Sequence, residues 1–430
     1  YPGFDIWAFD IRRYGDYSTI AYTNEKVREN YSRRFRITFP NEFLPAGRCV
    51  QTSPIYDRLA AKNAVFGDGF GLEAALWFQQ DGEEAVEDVT FGRSNAWDQV
   101  REETLAVRSS VGLWETTGFS KFKFSGPGAR AYLDRILAGR IPNAGRMSLT
   151  PMTNPAGNLI GDLTVATLGA ETGAAEGPAS AITGGATGNT RDGEEFVLFG
   201  SGIAERYYER WFDQHLPADG SVRYETLGFE MAGLSIAGPN ARAVLEKLTD
   251  ADVSQNGMRF MAFTEINIGL APVWCGRVTF TGDLGYEFWM PARYQRYVYE
   301  QLLEAGEEFG IRMFGLHALN SLRLEKGFGS WAREYRPIYD PFEANLGRFI
   351  QMDKDFIGRD ALAAKYADDG PGALRALVTF TVESDAGRDG VDVIGDEPIW
   401  HDGEVVGWVT SGGYAHHSET SVAMGYVPAA

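Results

Sequence analysis

Two carboxylates have neighbours unusual enough to suggest chemistry. Asp162 lies in Asn158-Leu159-Ile160-Gly161-Asp162-Leu163-Thr164-Val165, a charge among apolar, strand-forming residues. Such a residue is either a strand-start aspartate facing water or a partly buried acid or base at a strand end, with a shifted pKa. Glu287 lies in Phe280-Thr281-Gly282-Asp283-Leu284-Gly285-Tyr286-Glu287-Phe288-Trp289. A turn at Gly282-Asp283 leads into a strand with the glutamate between two aromatics. That carboxylate either faces outward or accepts paired N–H bonds from a flat heterocycle. The residue pattern alone leaves both choices open.

Other chemistries find little support. His416 and His417 are adjacent, so a strand would turn them to opposite faces. His215 precedes Leu216-Pro217 at an expected helix end, where a cation suits the dipole. No His-x-x-x-His pair or carboxylate–histidine cluster occurs, so no metal site is expected. No Ser-His-Asp or Cys-His spacing stands out. Gly67-Asp68-Gly69-Phe70-Gly71 lacks the glycine spacing and the strand–turn–helix setting of a dinucleotide site, and reads as a tight packing turn. The two cysteines, Cys49 and Cys275, form no CxxC pair. They read as buried small hydrophobes in a reducing compartment.

The elements that must position the carboxylates show an internal echo. Phe124-Ser125-Gly126-Pro127-Gly128-Ala129-Arg130-Ala131-Tyr132-Leu133 is similar to Ile236-Ala237-Gly238-Pro239-Asn240-Ala241-Arg242-Ala243-Val244-Leu245. Each copy predicts a strand, a Gly-Pro turn and a helix, because proline suits the first helical turn. Leu133, Ile136 and Leu137 share one helical face, as do Val244, Leu245 and Leu248. A pseudo-duplicated α+β domain follows. Strands are expected at 162–167 and 196–199, joined by a mobile Gly/Ala/Thr-rich loop from Gly169 to Gly193. Helices are expected at 204–214, 294–305 and 317–325. Residues 1–90 show no clear period and read as irregular, well-packed structure with a few short elements. From about Ala373 the pattern is β: a strand at 377–382, then a hairpin turning at His401-Asp402-Gly403, in a small barrel-like domain.

The 430-residue chain suggests two to four domains. Its net charge of −19 argues against nucleic acid and against an anionic membrane surface as partners. No stretch reaches the roughly 18–20 apolar residues of a membrane span. The start, Tyr1-Pro2-Gly3, has no methionine and no signal-peptide pattern, which suggests a processed chain or a piece of something longer.

Several segments, taken in order, resemble the aminomethyltransferase (glycine-cleavage T-protein) family, and most closely the C-terminal half of dimethylglycine and sarcosine dehydrogenases. They are 53–59 (Ser-Pro-Ile-Tyr-Asp-Arg-Leu), 91–95, 121–127, 161–165 (Gly-Asp-Leu-Thr-Val), 282–287, 322–327 (Leu-Arg-Leu-Glu-Lys-Gly), 355–359 and 409–414. Each is weak alone; their ordered co-occurrence is specific. The resemblance implies a multi-lobed α+β fold around a central folate channel with a C-terminal β-barrel-like domain. It implies a division into 1–90, resembling the linker of flavin-dependent N-methyl-amine dehydrogenases, 91–350, the folate-binding domain, and 351–430. It carries the catalytic aspartate onto Asp162 and the pterin-gripping glutamate onto Glu287. Phe280 stands where the family usually has tyrosine, which keeps a ring and loses a hydroxyl. Tyr286 and Arg323 are further cofactor-contacting candidates; for Arg323 an ion pair with Glu325 or a helix-surface role is an equal alternative.

The implied activity is capture of an iminium-borne one-carbon unit on tetrahydrofolate, giving 5,10-methylenetetrahydrofolate. FAD would reside only on a missing domain or a flavoprotein partner, and the methyl donor would be a small molecule. A direct folate-dependent demethylase giving 5-methyltetrahydrofolate, and a non-catalytic folate-binding module, are the alternatives. An oligomer is compatible with the sequence. The expected compartment is the cytoplasm, or the mitochondrial matrix in a eukaryote.

Overall fold

The computed structural model describes residues 9–69, 71–168, 182, 194–385 and 387–429. The expected loop from Gly169 to Gly193 lies outside them except for Ile182, which is buried.

Irregular structure with a few short elements is expected near the N-terminus, but a 13-residue helix, α1 (Ile20–Ser32), forms there, capped by Thr19 Oγ1 accepting from Tyr22 N at 3.2 Å. None of its residues is buried, so no apolar period marks it. Helix α2 (Tyr56–Ala61), the hairpin β1 (Ala64–Gly69) and β2 (Leu72–Phe78), and α3 (Trp97–Ser109) follow. Leu59, Ala64 and Phe78 share a core with Leu113 and Ile236, so the body of the protein begins near Ile55 and the expected boundary at residue 90 does not divide the packing.

After β3 (Gly112–Glu115) comes the first strand–turn–helix unit, β4 (Ser120–Ser125) and α4 (Ala129–Ile136). Next are β5 (Arg146–Thr153), β6 (Leu159–Thr167), β7 (Phe196–Gly200), α5 (Glu205–His215) and β8 (Arg223–Thr226). The second unit is β9 (Met231–Ala237) and α6 (Ala241–Glu246). Its turn repeats the first: Gly126 and Gly238 have φ of +109° and +130°, and a Cβ on either would lie 2.4 Å from a backbone oxygen. Only glycine fits there. Then come β10 (Phe263–Ile268), β11 (Ala271–Gly276), β12 (Gly285–Pro291), α7 (Ala292–Gly306), β13 (Arg312–Met313) and α8 (Leu316–Leu324). The C-terminal part holds α9 (Arg359–Lys365), β14 (Arg375–Val382), β15 (Pro398–His401), β16 (Glu404–Ala415) and β17 (Thr420–Pro428).

The two units seed two sheets. One has the order β5-β6-β7-β4-β8, the other β10-β11-β12-β9-β3-β13. Phe124, Leu133, Leu163 and Phe212 pack on one side of the first sheet. Ile236, Leu245, Phe288 and Leu302 pack on one side of the second. The remaining faces of both sheets meet each other through Ala166, Val197, Phe199, Trp274 and Trp289. The C-terminal strands form an antiparallel sheet ordered β14-β17-β16-β15, with its edge strands not paired to each other among the described residues. The barrel-like expectation therefore resolves to an open four-stranded sheet. It docks through Val422, Met424 and Tyr426, which join the core of the first sheet.

Candidate active site

Strand alternation decides which side chains reach the gap between the sheets. On β6, Leu163 and Val165 point into the core behind the first sheet, so Asp162, Thr164 and Ala166 point into the gap. On β12, Tyr286, Phe288 and Met290 belong to the core behind the second sheet, so Glu287 and Trp289 point into the gap. Phe199, the β7 partner of Thr164, stacks on Trp289 with ring centroids 4.0 Å apart. Asp162 and Glu287 each stand two residues before this contact on their own strands. Two carboxylates 125 positions apart thus project from facing sheets into one space.

Asp162 lies inside a nine-residue strand, which removes the strand-start reading. The residue keeps partial exposure, yet its Oδ1 is enclosed and has no hydrogen-bond partner. Burial, reinforced by the Glu334 carboxylate, pushes the Asp162 pKa up to about 7. Its own backbone N–H pulls the other way. A group so placed changes charge near neutrality, as an acid or base must.

Glu287 is half-buried and makes no hydrogen bond or ion pair with any described residue. Burial raises its pKa to about 8. Its cross-strand neighbours are Gly276 and Ser235, both small; Met147 Sδ and the Trp289 ring close over Gly276, each 3.0 Å from where its Cβ would stand. An unpartnered acceptor pair suits a planar group with adjacent N–H donors.

The other expected residues separate. Phe280 sits on the loop before β12 and stacks on Phe328, with ring centroids 6.3 Å apart. Tyr286 is a correction: being next to Glu287 on a strand, it faces the opposite way. It is fully buried, and its hydroxyl donates to Val253 O at 3.2 Å and accepts from Arg242 Nε at 3.1 Å. Arg323 is buried on α8 and fully engaged: it donates to Asn320 Oδ1 at 2.8 Å, Phe328 O at 3.0 Å and Glu334 Oε2 at 3.2 Å. Neither alternative holds, since Glu325 pairs with Arg108 at 2.8 Å and Arg323 is not on the surface. Glu334 in turn accepts from Thr410 Oγ1 at 2.7 Å and from Ser411 Oγ. Arg323 thereby clamps the C-terminal sheet to the body, and reaches Asp162 only through the field of Glu334.

Beside the gap lies a cavity of about 490 Å³ that reaches Phe280 but is lined by neither Asp162 nor Glu287. Trp114, Phe119 and Phe314 form apolar walls; Glu115 and Glu205 bring carboxylates to it. Glu115 accepts from Gln295 Nε2 at 3.0 Å and Thr117 Oγ1 at 2.9 Å. Fully buried Lys121 donates to Thr117 O at 2.8 Å, and burial lowers its pKa to about 7. Sequence reading missed these groups; the only signal was charges set in apolar strands, as in Lys121-Phe122-Lys123-Phe124. His416 is buried and His417 exposed, but both lie in the turn that follows β16 rather than on a strand, so alternation does not set their facing. Cys275 is buried but Cys49 is exposed, against expectation. Among the described residues no group of three or more His, Cys, Asp or Glu side chains is arranged to hold a metal ion, and no helix is long and apolar enough to cross a membrane.

Comparison with known proteins places this geometry. The GCVT N-terminal domain matches residues 55–175 and 180–354, and the glycine cleavage T-protein C-terminal barrel domain matches 375–430. The FAD dependent oxidoreductase central domain matches 1–53. Mitochondrial dimethylglycine dehydrogenase of Mus musculus is 34% identical over 431 residues, covering 99% of this chain and 46% of that protein. The chain therefore spans about half the length of that relative. The aminomethyltransferase of Koribacter versatilis is 31% identical over 335 residues, 76% of this chain and 79% of that one. The glycine cleavage system aminomethyltransferase T of Bartonella henselae shares the fold, with a TM-score of 0.69 at 22% identity, covering 88% of this chain and 90% of that one.

Proposed function

The chain belongs to the aminomethyltransferase (glycine-cleavage T-protein) family, and from that premise we propose that it binds a reduced folate in the gap between its two sheets and transfers a one-carbon unit to it. The observation that carries this reading is the pair of gap-facing carboxylates, one with an enclosed unpaired oxygen and one wholly unpartnered. Glu287 would hold the pterin edge, each oxygen accepting an N–H. Leaving those donors without a partner would cost binding. Phe280 would offer a ring edge without the hydroxyl.

Bound tetrahydrofolate would supply the two nitrogens that accept the one-carbon unit. The chain's contribution would be proton handling and exclusion of water. Asp162, with a pKa about 7, is suited to take the proton released as the second nitrogen closes on the carbon and to stabilise the cation that precedes closure. The apolar gap around Trp289 and Phe199 would protect a hydrolysable carbon unit from water.

The donor would be an iminium formed from an N-methyl amine, with 5,10-methylenetetrahydrofolate and the demethylated amine as products, the amine leaving with its pair of electrons as the second nitrogen closes on the carbon. The adjoining cavity supports this, because aromatic walls with Glu115 and Glu205 suit a small cation. A flavoprotein domain or subunit would make the iminium. The N-terminal segment supports such a partner: Phe9, Ile20, Phe35 and Ile37 are 88%, 82%, 97% and 72% exposed within or near the stretch that matches an FAD dependent oxidoreductase domain. Residues 1–90, on this reading, contain the junction with that partner.

Calorimetric titration of tetrahydrofolate into the purified chain tests the first step. Saturable one-to-one binding that is weakened in Glu287→Gln supports the reading; a folded chain that does not bind overturns it.

A further inference from the structure

The cavity beside the gap has a buried floor and a solvent-reaching rim. Ala75, Trp114 and Thr116 line it and are buried. Asp16 and Arg206 also line it, reach solvent, and pair with each other at 3.7 Å. The entrance is therefore where these two side chains meet.

Across that entrance runs the segment from Asp10 to Tyr17, a 3₁₀ turn (Ile11–Arg13) and the residues after it. Arg206 stands on α5, and one turn further along the same helix Arg210 pairs with Asp10 at 3.9 Å. At the other end of the segment the Tyr17 ring lies on Gly71, in the turn between β1 and β2. A Cβ on Gly71 would lie 2.6 Å from Tyr17 Cδ2, and its φ is +83°. Only glycine seats the ring there. The segment thus spans from α5, which brings Glu205 to the cavity, to the hairpin, which brings Gly69 and Leu72.

The hold on this segment is weak. None of residues 9–17 is buried. Both ion pairs are long and open to water, with Asp16 fully exposed, and such pairs contribute little and are screened by salt. Arg206 also pairs with Glu209 at 2.9 Å, so it keeps a partner when Asp16 leaves. A segment without buried contacts opens locally while the body stays folded. We propose that residues 10–17 form a strap that closes the entrance of this cavity and admits a small molecule by swinging off α5. This control of entry holds whichever ligand the cavity takes.

The alkylation rate of a thiol placed on the cavity floor reads the strap directly. Ala75→Cys in a Cys49→Ser background supplies that thiol, and fully buried Cys275 serves as the internal measure of global unfolding. With iodoacetamide under native conditions, the new thiol should react more slowly than a free thiol and far faster than Cys275. Asp10→Asn combined with Asp16→Asn should speed it by roughly threefold to tenfold, the scale of two exposed ion pairs, and leave Cys275 unchanged. Asparagine at position 10 can still accept from Arg12 N, so the turn is kept. Raising sodium chloride from about 0.05 M to about 0.5 M should speed the reaction with the native strap and change little in the double variant. Tyr17→Ala should speed it in both. If Ala75→Cys fails to fold, Thr116→Cys gives the same readings, since the threonine hydroxyl has no hydrogen bond to lose. A floor thiol that reacts like a free thiol, a rate indifferent to the two aspartates and to salt, or an acceleration that Cys275 shares, overturns the strap.

Discussion

Phe199 and Trp289 stack at 4.0 Å with their planes 26° apart, and this contact joins the two sheets beside the place where Asp162 and Glu287 enter the gap. The distance between the sheets, and hence the geometry between the two carboxylates, is set by these rings. Trimming Trp289 to leucine should keep most of the core and loosen the gap. A folate Kd raised several-fold, but unchanged in a Phe124→Leu control in the core behind, is the expected outcome; both variants should melt lower, because both rings are fully buried.

Asp162→Asn preserves shape and removes the base. Turnover should fall by about 10²–10⁴-fold, the usual range for a positioned acid–base group. Tetrahydrofolate affinity should change less than threefold. Steady-state rates together with calorimetry on the same preparation separate the two effects, and a variant with wild-type turnover removes Asp162 from the mechanism.

Glu287 is protonated in the free protein up to about pH 8, whereas holding N–H donors needs the carboxylate. Binding should therefore release a proton, and affinity should rise with pH from 6 to 8.5. Calorimetry in buffers of different ionisation enthalpy reads the proton count directly. Glu287→Gln should bind roughly 10–100-fold more weakly, equivalent to a lost charge-assisted hydrogen bond, and with no such pH dependence. Tight, pH-independent binding by wild type would show that this carboxylate does not meet the ligand.

Breaking the Arg323–Glu334 pair should act on stability. Both side chains are buried, and Glu334 also receives Thr410 and Ser411. Arg323→Met leaves a buried charge uncompensated and should destabilise by about 3–5 kcal/mol. The double variant Arg323→Met, Glu334→Met should recover much of that loss. Denaturant melts followed by tryptophan fluorescence give the comparison; a single variant as stable as wild type would show that the clamp is idle.

Glu103 is fully buried and accepts from Phe78 N at 2.7 Å and Gly315 N at 2.9 Å, which ties β2 and the start of α8 to α3. Burial raises its pKa from 4.5 to about 8. The folded chain therefore holds a proton that the unfolded chain has lost between those values, so this group's contribution to stability falls as pH rises from about 4.5 to 8. Relative to Glu103→Gln, wild type should lose stability over that window and not below it. Parallel melts of the two at pH 4, 6 and 8 decide the matter; parallel curves would refute it.

Local chemistry was enough to read much of this protein from its residues. The Gly-Pro turns at 126–127 and 238–239 announce two strand–helix units, since only glycine tolerates the positive φ and proline starts the helix without needing its N–H. The hairpin around His401-Asp402-Gly403 and the helices at Glu205–His215 and Ala292–Gly306 follow equally from turn chemistry and apolar period. Helix α1 escaped because it buries nothing, and a helix without a buried stripe leaves no period to read. Asp162 and Glu287 could be singled out one at a time, as charges in apolar strands. That they face one gap was decided by the packing of one sheet on the other, which no local pattern encodes. Strand alternation alone turns Tyr286 away from Glu287, whereas tertiary packing enlisted Arg323 in the C-terminal clamp. Lys121 and Glu115 became visible only there, because burial is a property of the assembled core and not of any stretch of chain.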